Sequence, residues 1–286
     1  MASLKDIRKR IQSVKNTQQI TSAMKMVAAA RLRRAQERIE KARPYAEEMA
    51  VVLSNLAKRV HADSHPLLTR RPVGKVMLIV VTSDRGLCGG FNQNIIRTAE
   101  RFIRENRKKY SKITFTVIGK KGYDYFKNRT TPIFQNYTGI SGSIEYNLGK
   151  TIAQDVVKSF IEESVDEIYL LFNKFITPMT QEIVFDRLLP ISRSKAREDT
   201  TPVEYLFEPS QDAIVEGIIN RHLNTQVFRA LLESEASELG ARMTAMDSAT
   251  SNAEEMIEKL TLDYNRARQE AITVELMEIV SGAEAL

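Results

Sequence analysis

The sequence predicts an α/β protein: a long antiparallel coiled coil formed by the two ends of the chain, and between them a small α/β domain with a mostly parallel sheet. Three observations carry this expectation. The first 73 of the 286 residues contain no glycine, and the last 77 contain no proline and only three glycines, so residues that break helices are scarce at both ends. Apolar residues in both ends recur at three-four spacing. The middle instead alternates short β-branched runs with helical stretches, the pattern of a parallel sheet with crossover helices.

The amino-terminal seam runs from Leu4, Ile7, Ile11 and Val14 to Leu53, Leu56 and Val60. Fourteen of its seventeen positions are apolar, enough for more than seven heptads, and the three exceptions, Gln18, Thr21 and Lys25, are consecutive. Pro44 falls inside the run, where a lost donor and a clash with the preceding turn predict a bend and not an end. The carboxyl-terminal helix starts after Pro209, with apolar steps at Met243, Met246, Ala249, Ala253, Met256, Leu260, Tyr264, Ala267, Ala271 and Val274. One three-three step near Met246 and one four-four step at Leu260 interrupt the spacing, as stammers and stutters do. At the helical rise the two elements would be roughly 85 and 105 Å long. Helices of that length need an apolar stripe packed on a partner.

Charge names the partner. Residues 1–60 hold 14 Lys+Arg against 5 Asp+Glu, while residues 209–286 hold 6 against 14, so the two ends attract each other and repel their own copies. Joining both helices at their inner ends makes them antiparallel, with paired residue numbers summing to about 268. Leu4 then lies near Tyr264, and the final twenty or so residues project as a single helix. The polar window Gln18–Thr21–Lys25 faces Met243–Thr250, where the partner's spacing also stammers. Either this height is built for contact with another molecule, or it is a local packing irregularity.

Between the ends, Lys75–Thr82 reads as a buried strand and Ser83–Gly90 as a glycine-rich turn. A helix over Asn92–Lys109, a strand over Ile113–Ile118, a short helix near Tyr123–Lys127 and a strand over Ile133–Tyr137 follow. A helix over Ser143–Glu163 and strands over Glu167–Phe175 and Gln181–Leu188 complete the domain. This is a Rossmann-like order, in which the last strand could run antiparallel. The expected division is therefore a shaft of residues 1–60 and 209–286, an α/β domain of residues 73–190, and connecting segments 61–72 and 191–208.

The chain offers little chemistry. The turn after the first strand lies where nucleotide folds hold phosphate, but GxxxxGK[ST] and GxGxxG are both missing, which favours a structural turn. Cys88 has no histidine near it in sequence; His61, His65 and His222 sit at segment edges or on the long helix. Zinc spacings, HExxH and GxSxG do not occur, and paired carboxylates such as Glu162–Glu163 read as solvated helix faces. The expectation is no catalytic residue, no metal and no cofactor. The basic cluster Arg31, Arg33, Arg34, Arg38, Lys41 and Arg43 could meet nucleic-acid phosphates or an acidic protein surface. It could equally be a solvated face answering the acidic helix, and the want of stacking aromatics weighs against nucleic acid. No apolar run reaches eighteen residues, so no membrane span is expected. The basic start without an apolar core predicts no secretory leader, and the lone cysteine suits a reducing compartment.

Three separated blocks resemble the gamma-subunit family of the F-type ATP synthase, in its bacterial form. Ile20-Thr21-Ser22-Ala23-Met24-Lys25-Met26-Val27-Ala28-Ala29-Ala30 is similar to the family's amino-terminal block. Asp84-Arg85-Gly86-Leu87-Cys88-Gly89-Gly90-Phe91-Asn92 resembles a second, and Ile272–Ala285 resembles the carboxyl-terminal signature. The resemblance implies a non-catalytic rotor: a central stalk standing once inside a ring of three alpha and three beta subunits, its foot on epsilon and a membrane c ring. Rotation driven by proton flow would then open and close the beta subunits, which hold the nucleotide sites. By position in the family pattern, Arg268, Gln269, Thr273 and Glu275 would contact beta near the top of the shaft. Met24 and Arg242 would do so at the polar window, with Arg8, Lys9, Arg31, Arg33 and Arg34 as basic candidates. Tyr205 and Glu208, at the start of the second helix, would belong to the foot on the c ring and epsilon. The apolar tip from Ile272 would turn in a hydrophobic sleeve. The implied place is the cytoplasmic face of the cell membrane, as a peripheral subunit. Chloroplast relatives carry an inserted cysteine pair for redox control, a device this chain lacks with Cys88 alone.

Overall fold

The computed structural model of the chain describes residues 4–59, 65–69, 71–191 and 211–284. The elements run α1 (Leu4–Arg59), β1 (Lys75–Val81), α2 (Phe91–Asn106), β2 (Lys112–Ile118), α3 (Lys120–Phe126), β3 (Ile133–Tyr137), α4 (Tyr146–Ile161), β4 (Glu167–Phe175), β5 (Gln181–Leu189) and α5 (Gln211–Glu284). The helix expected from Ser143 starts three residues later. Gly142, at φ +84°, turns the chain first, and Ser143 donates its N–H back to Ile140. Helix α2 stops at Asn106, short of Lys109, because the Asn106 side chain caps Phe102 O and its carbonyl accepts from both Lys109 and Tyr110. Helix α1 continues through Pro44 without a break. The described residues divide into two compact units, Ala30–Ala241 and Met1–Ala29 with Arg242–Leu286.

In the larger unit the sheet order is β3-β2-β1-β4-β5. Strand β1 pairs in parallel with β2 and β4, β2 with β3, and β5 closes the sheet antiparallel to β4. The central strand offers no polar side chain to either face from Val76 to Val81, and all six residues are buried. Leu78 and Val80 pack with Ile95, Ile96, Phe115 and Phe126 into the core beneath α2 and α3. Helix α5 contributes its own buried stripe, Val215, Ile219, Leu223 and Val227, at i+4 steps. Helix α4 reaches α5 at Gly149, where an added Cβ would stand 2.8 Å from the Cβ of Phe228. Only a residue without a side chain allows that approach.

In the smaller unit α1 and α5 pair antiparallel, since rising numbers on one meet falling numbers on the other. Gln18 Nε2 donates to Glu254 at 2.9 Å, the Thr21 and Thr250 hydroxyls meet at 2.8 Å, and Lys25 bridges Asp247 at 2.5 Å. The three consecutive polar seam positions thus find three polar partners, with buried Ala28, Met246 and Ala253 around them. The paired numbers sum to about 272 and not 268, a shift of one helical turn from the expected register. Side-chain complementarity sets the register, whereas the position of the chain ends fixed the expectation only to within a turn. A disulfide tests it. Thr21→Cys with Thr250→Cys should crosslink rapidly within one molecule under mild oxidation, as the hydroxyl spacing allows. Met24→Cys paired with a cysteine at 243 should react slowly, and the reverse order would refute the register.

Candidate functional site

The first candidate is the turn Ser83–Gly90 at the carboxyl edge of β1. Ser83 and Asn92 hold its two ends together. Asn92 Oδ1 accepts from Ser83 N at 2.9 Å, and Asn92 Nδ2 donates to the buried Cys88 sulfur at 3.3 Å. Asp84 then ties three loops into one. Its carboxylate accepts backbone N–H groups from Lys120, Gly139 and Ser141, each at 2.9 Å. Burial alone would raise the Asp84 carboxyl, but those N–H groups from Gly139, Ser141 and Lys120 outweigh it and hold the group below its ordinary value. The N–H groups that could cradle an anion at this edge of a doubly wound sheet are therefore taken by a carboxylate of the chain itself. This is a structural turn, pinned from inside.

The second candidate is the surface of α1 and α5. From Arg268 to Ser281 every residue of α5 is exposed, including Gln269, Thr273 and Glu275. Six large apolar side chains lie in that stretch, Ile272, Val274, Leu276, Met277, Ile279 and Val280, and each is about half exposed or more. Tyr264 and Ala267, just before it, are half-buried. On the observed register Leu4 stands opposite residue 268, roughly, so α5 leaves its partner where the exposed stretch begins. The apolar side chains favour one side, because Ile272, Leu276, Met277, Ile279 and Val280 fall within an arc of roughly 160° of the helix, with Glu275 and Glu278 outside it.

Among the remaining sequence-expected positions, Arg8, Lys9, Arg31, Arg33 and Arg34 are exposed, and Met24 and Arg242 are half-buried. Arg33 forms an i,i+4 pair with Glu37 at 3.7 Å. Met24 and Arg242 are not opposite one another. On the observed register Met24 faces the neighbourhood of Ser248, which leaves Arg242 roughly 9 Å away along the axis. Tyr205 and Glu208 lie outside the described residues.

Two members of the basic cluster, their side chains each 40% exposed, pair with acids that are buried or nearly so. Arg43 donates through Nε and Nη2 to Glu233, whose side chain is 4% exposed, and Arg38 bonds Glu235 and the Ile144 carbonyl. For these two the solvated-face reading is right in kind, since each answers an acid on α5, but both acids lie inside. Burial pushes the Glu235 carboxyl up, against the pull of Arg38 and of the Gly142 N–H. A signal was available: the net charges of the two ends are opposite, and paired numbers near the shaft base bring 38 and 43 close to 235 and 233. Further along α5, burial with Arg229 beside it pushes His222 down to about 4. Beside Arg43 and Glu233 opens a cavity of about 640 Å³ whose charges, from Lys174, Glu182, Asp186 and Arg229, are mixed. Among the described residues no helix is long and apolar enough to cross a membrane.

The comparisons with known proteins agree with this geometry. The family model described as ATP synthase matches residues 3–286. The ATP synthase gamma chain of Geotalea uraniireducens is 53% identical over 286 residues, covering 100% of this chain and 99% of that protein. Among solved structures, a chain of the central stalk and c ring of the Tetrahymena thermophila mitochondrial ATP synthase is similar with a TM-score of 0.63 at 26% identity, over 80% of this chain and 99% of that one. A chain of the Euglena gracilis mitochondrial ATP synthase rotor has the same fold, with a TM-score of 0.66 at 19% identity, over 94% of this chain and 98% of that one.

Proposed function

Because this chain belongs to the ATP synthase gamma family, we propose that it acts as a mechanical coupler whose rotation drives the beta subunits through their catalytic states. It is a central-stalk subunit, a peripheral component of the synthase, with the F1 hexamer, the rest of the rotor and the c ring as its surroundings. The nucleotide sites lie on beta, and the complex sits on the cytoplasmic face of the bacterial membrane. Residues 1–60 and 209–286 serve as the shaft, and residues 73–190 as the domain that receives the drive.

The observation that carries this reading is the stretch Arg268–Ser281, exposed on every side. A helix end with this much exposed apolar surface marks a place that a partner covers. Non-directional apolar contact offers little registry to resist turning. Within it, the polar residues Arg268, Gln269, Thr273 and Glu275 supply directional contacts to beta. Met24, Arg242 and the exposed cations Arg8, Lys9, Arg31, Arg33 and Arg34 meet acidic surface lower down. Tyr205 and Glu208 belong to the foot on epsilon and the c ring. Three chemically identical beta subunits can differ in state only if the shaft touches each differently, and two unlike helices present a different surface in each direction.

Co-expression with alpha and beta tests the assembly. One copy of this chain should purify with three alpha and three beta, and a stoichiometry of three or six would refute a single asymmetric shaft. Replacing Arg268 and Gln269 together by alanine should lower proton-driven ATP synthesis in vesicles by about tenfold, while the complex still assembles. Unchanged synthesis would remove those two residues from the torque contacts.

A further inference from the structure

We propose that the contact between α5 and the end of β4 is the joint through which the α/β domain turns the shaft, with Glu233, Ser237 and Arg43 as its positioning residues. The proposal rests on the rotor reading and adds to it the place where rotation passes from sheet to helix.

Three positions on α5, at i, i+4 and i+7, face the same short stretch of chain. Glu233 accepts the Phe175 N–H at 3.0 Å, Ser237 donates its hydroxyl to the Asn173 carbonyl at 3.0 Å, and Gly240 lies against Pro178. A Cβ at Gly240 would stand 3.1 Å from the Pro178 Cα and carbonyl oxygen, so the helix backbone rests directly on the turn after β4. Glu233 and Ser237 are 3% and 0% exposed. Arg43 brings the second helix into the same knot. It bonds Glu233 from Nε at 3.2 Å and from Nη2 at 3.1 Å, and reaches the Phe175 carbonyl at 3.4 Å.

These contacts differ in kind from the apolar stripe Val215, Ile219, Leu223 and Val227 on the same helix. Leucine and valine stripes hold two surfaces together but resist sliding weakly, because apolar contact has no preferred direction. Hydrogen bonds to backbone atoms of a strand have both direction and fixed length. Strand β4 is held on both sides, by β1 and by β5, so its end cannot swing without the sheet. A turning force on the sheet therefore reaches α5 as a pull on Glu233 and Ser237. Glu233 cannot leave its place without stranding a buried charge. Arg43 delivers the same pull to α1, so both helices turn as one.

The test compares the assembled synthase of the wild-type chain with Glu233→Gln and Ser237→Ala, each carrying a probe bead on the α/β domain. The hexamer is stalled by a non-hydrolysable nucleotide, and the angular spread of the bead is recorded. Both variants should widen the spread, Glu233→Gln by roughly twofold and Ser237→Ala by less, and Ser237→Ala should do so at a melting temperature close to wild type. A spread equal to wild type in both variants, in complexes that assemble and rotate, would overturn the joint. A lower melting temperature without a wider spread would also overturn it, since these residues would then only stabilise the fold. If the wild-type chain itself neither assembles nor turns, the rotor reading has failed instead. Should Glu233→Gln not fold, Ser237→Ala decides alone, because it removes one hydroxyl and leaves the ion pair.

Discussion

Gly119→Ala should unfold the sheet region, at a cost of about 4 kcal/mol or more, through strain and collision together. Gly119 sits at φ +91°, and a Cβ there would lie 2.1 Å from the Thr82 carbonyl oxygen. That oxygen belongs to the end of β1, which cannot retreat, because Thr82 also donates its N–H and its hydroxyl to the Ile118 carbonyl. Gly139→Ala is the matched control. Its φ is +77°, but nothing stands within 4 Å of the added atom, so the cost should be the left-handed conformation alone, about 1 kcal/mol. Thermal unfolding followed by circular dichroism separates the two. Equal losses at both positions would mean that conformation alone, and not the close approach to Thr82, governs this edge.

Glu233→Ala is expected to cost about 3–5 kcal/mol, because it leaves the Phe175 N–H without its acceptor and the Arg43 guanidinium beside an uncharged hollow. The comparison that gives the number meaning is Lys25→Ala in the polar window. The Lys25–Asp247 bridge is shorter, yet its side chains are 44% and 57% exposed, so its loss should cost about 0.5 kcal/mol. Denaturant titration of the two variants should rank them by burial and not by distance. A larger loss for Lys25→Ala would contradict that ranking.

The parts legible in the sequence are those with punctuation. Lys75–Val81 announces itself because a run of seven residues with one charge at its edge can only be a strand buried on both faces. The long helices announce themselves because α1 holds no glycine and one proline, and α5 no proline and three glycines. The polar window was visible as three polar residues on a seam of apolar ones. Its partner was not, because an apolar seam repeats every turn and a slip of four residues leaves the pattern intact; only Thr21, Lys25 and Gln18 meeting Thr250, Asp247 and Glu254 choose between registers. The Asp84 clamp left no trace, since its partners are backbone N–H groups 36 to 57 residues away, and any residue could supply them. Glu233 was hidden among fourteen acids in the carboxyl-terminal segment. What distinguishes it is burial, which no local pattern encodes. The sequence-expected contact residues Arg8, Lys9, Arg31, Arg33, Arg34, Arg268, Gln269, Thr273 and Glu275 are exposed, as a pattern of charged and polar positions on helices leads one to expect.

The bare end of α5 has a consequence for how the enzyme is built. Ile272, Val274, Leu276, Met277, Ile279 and Val280 in water are sites of adhesion for any unfolded or half-assembled neighbour. A free pool of this chain is therefore a hazard to the cell that makes it. Copies made in excess of their partner subunits should be among the first to aggregate or be degraded.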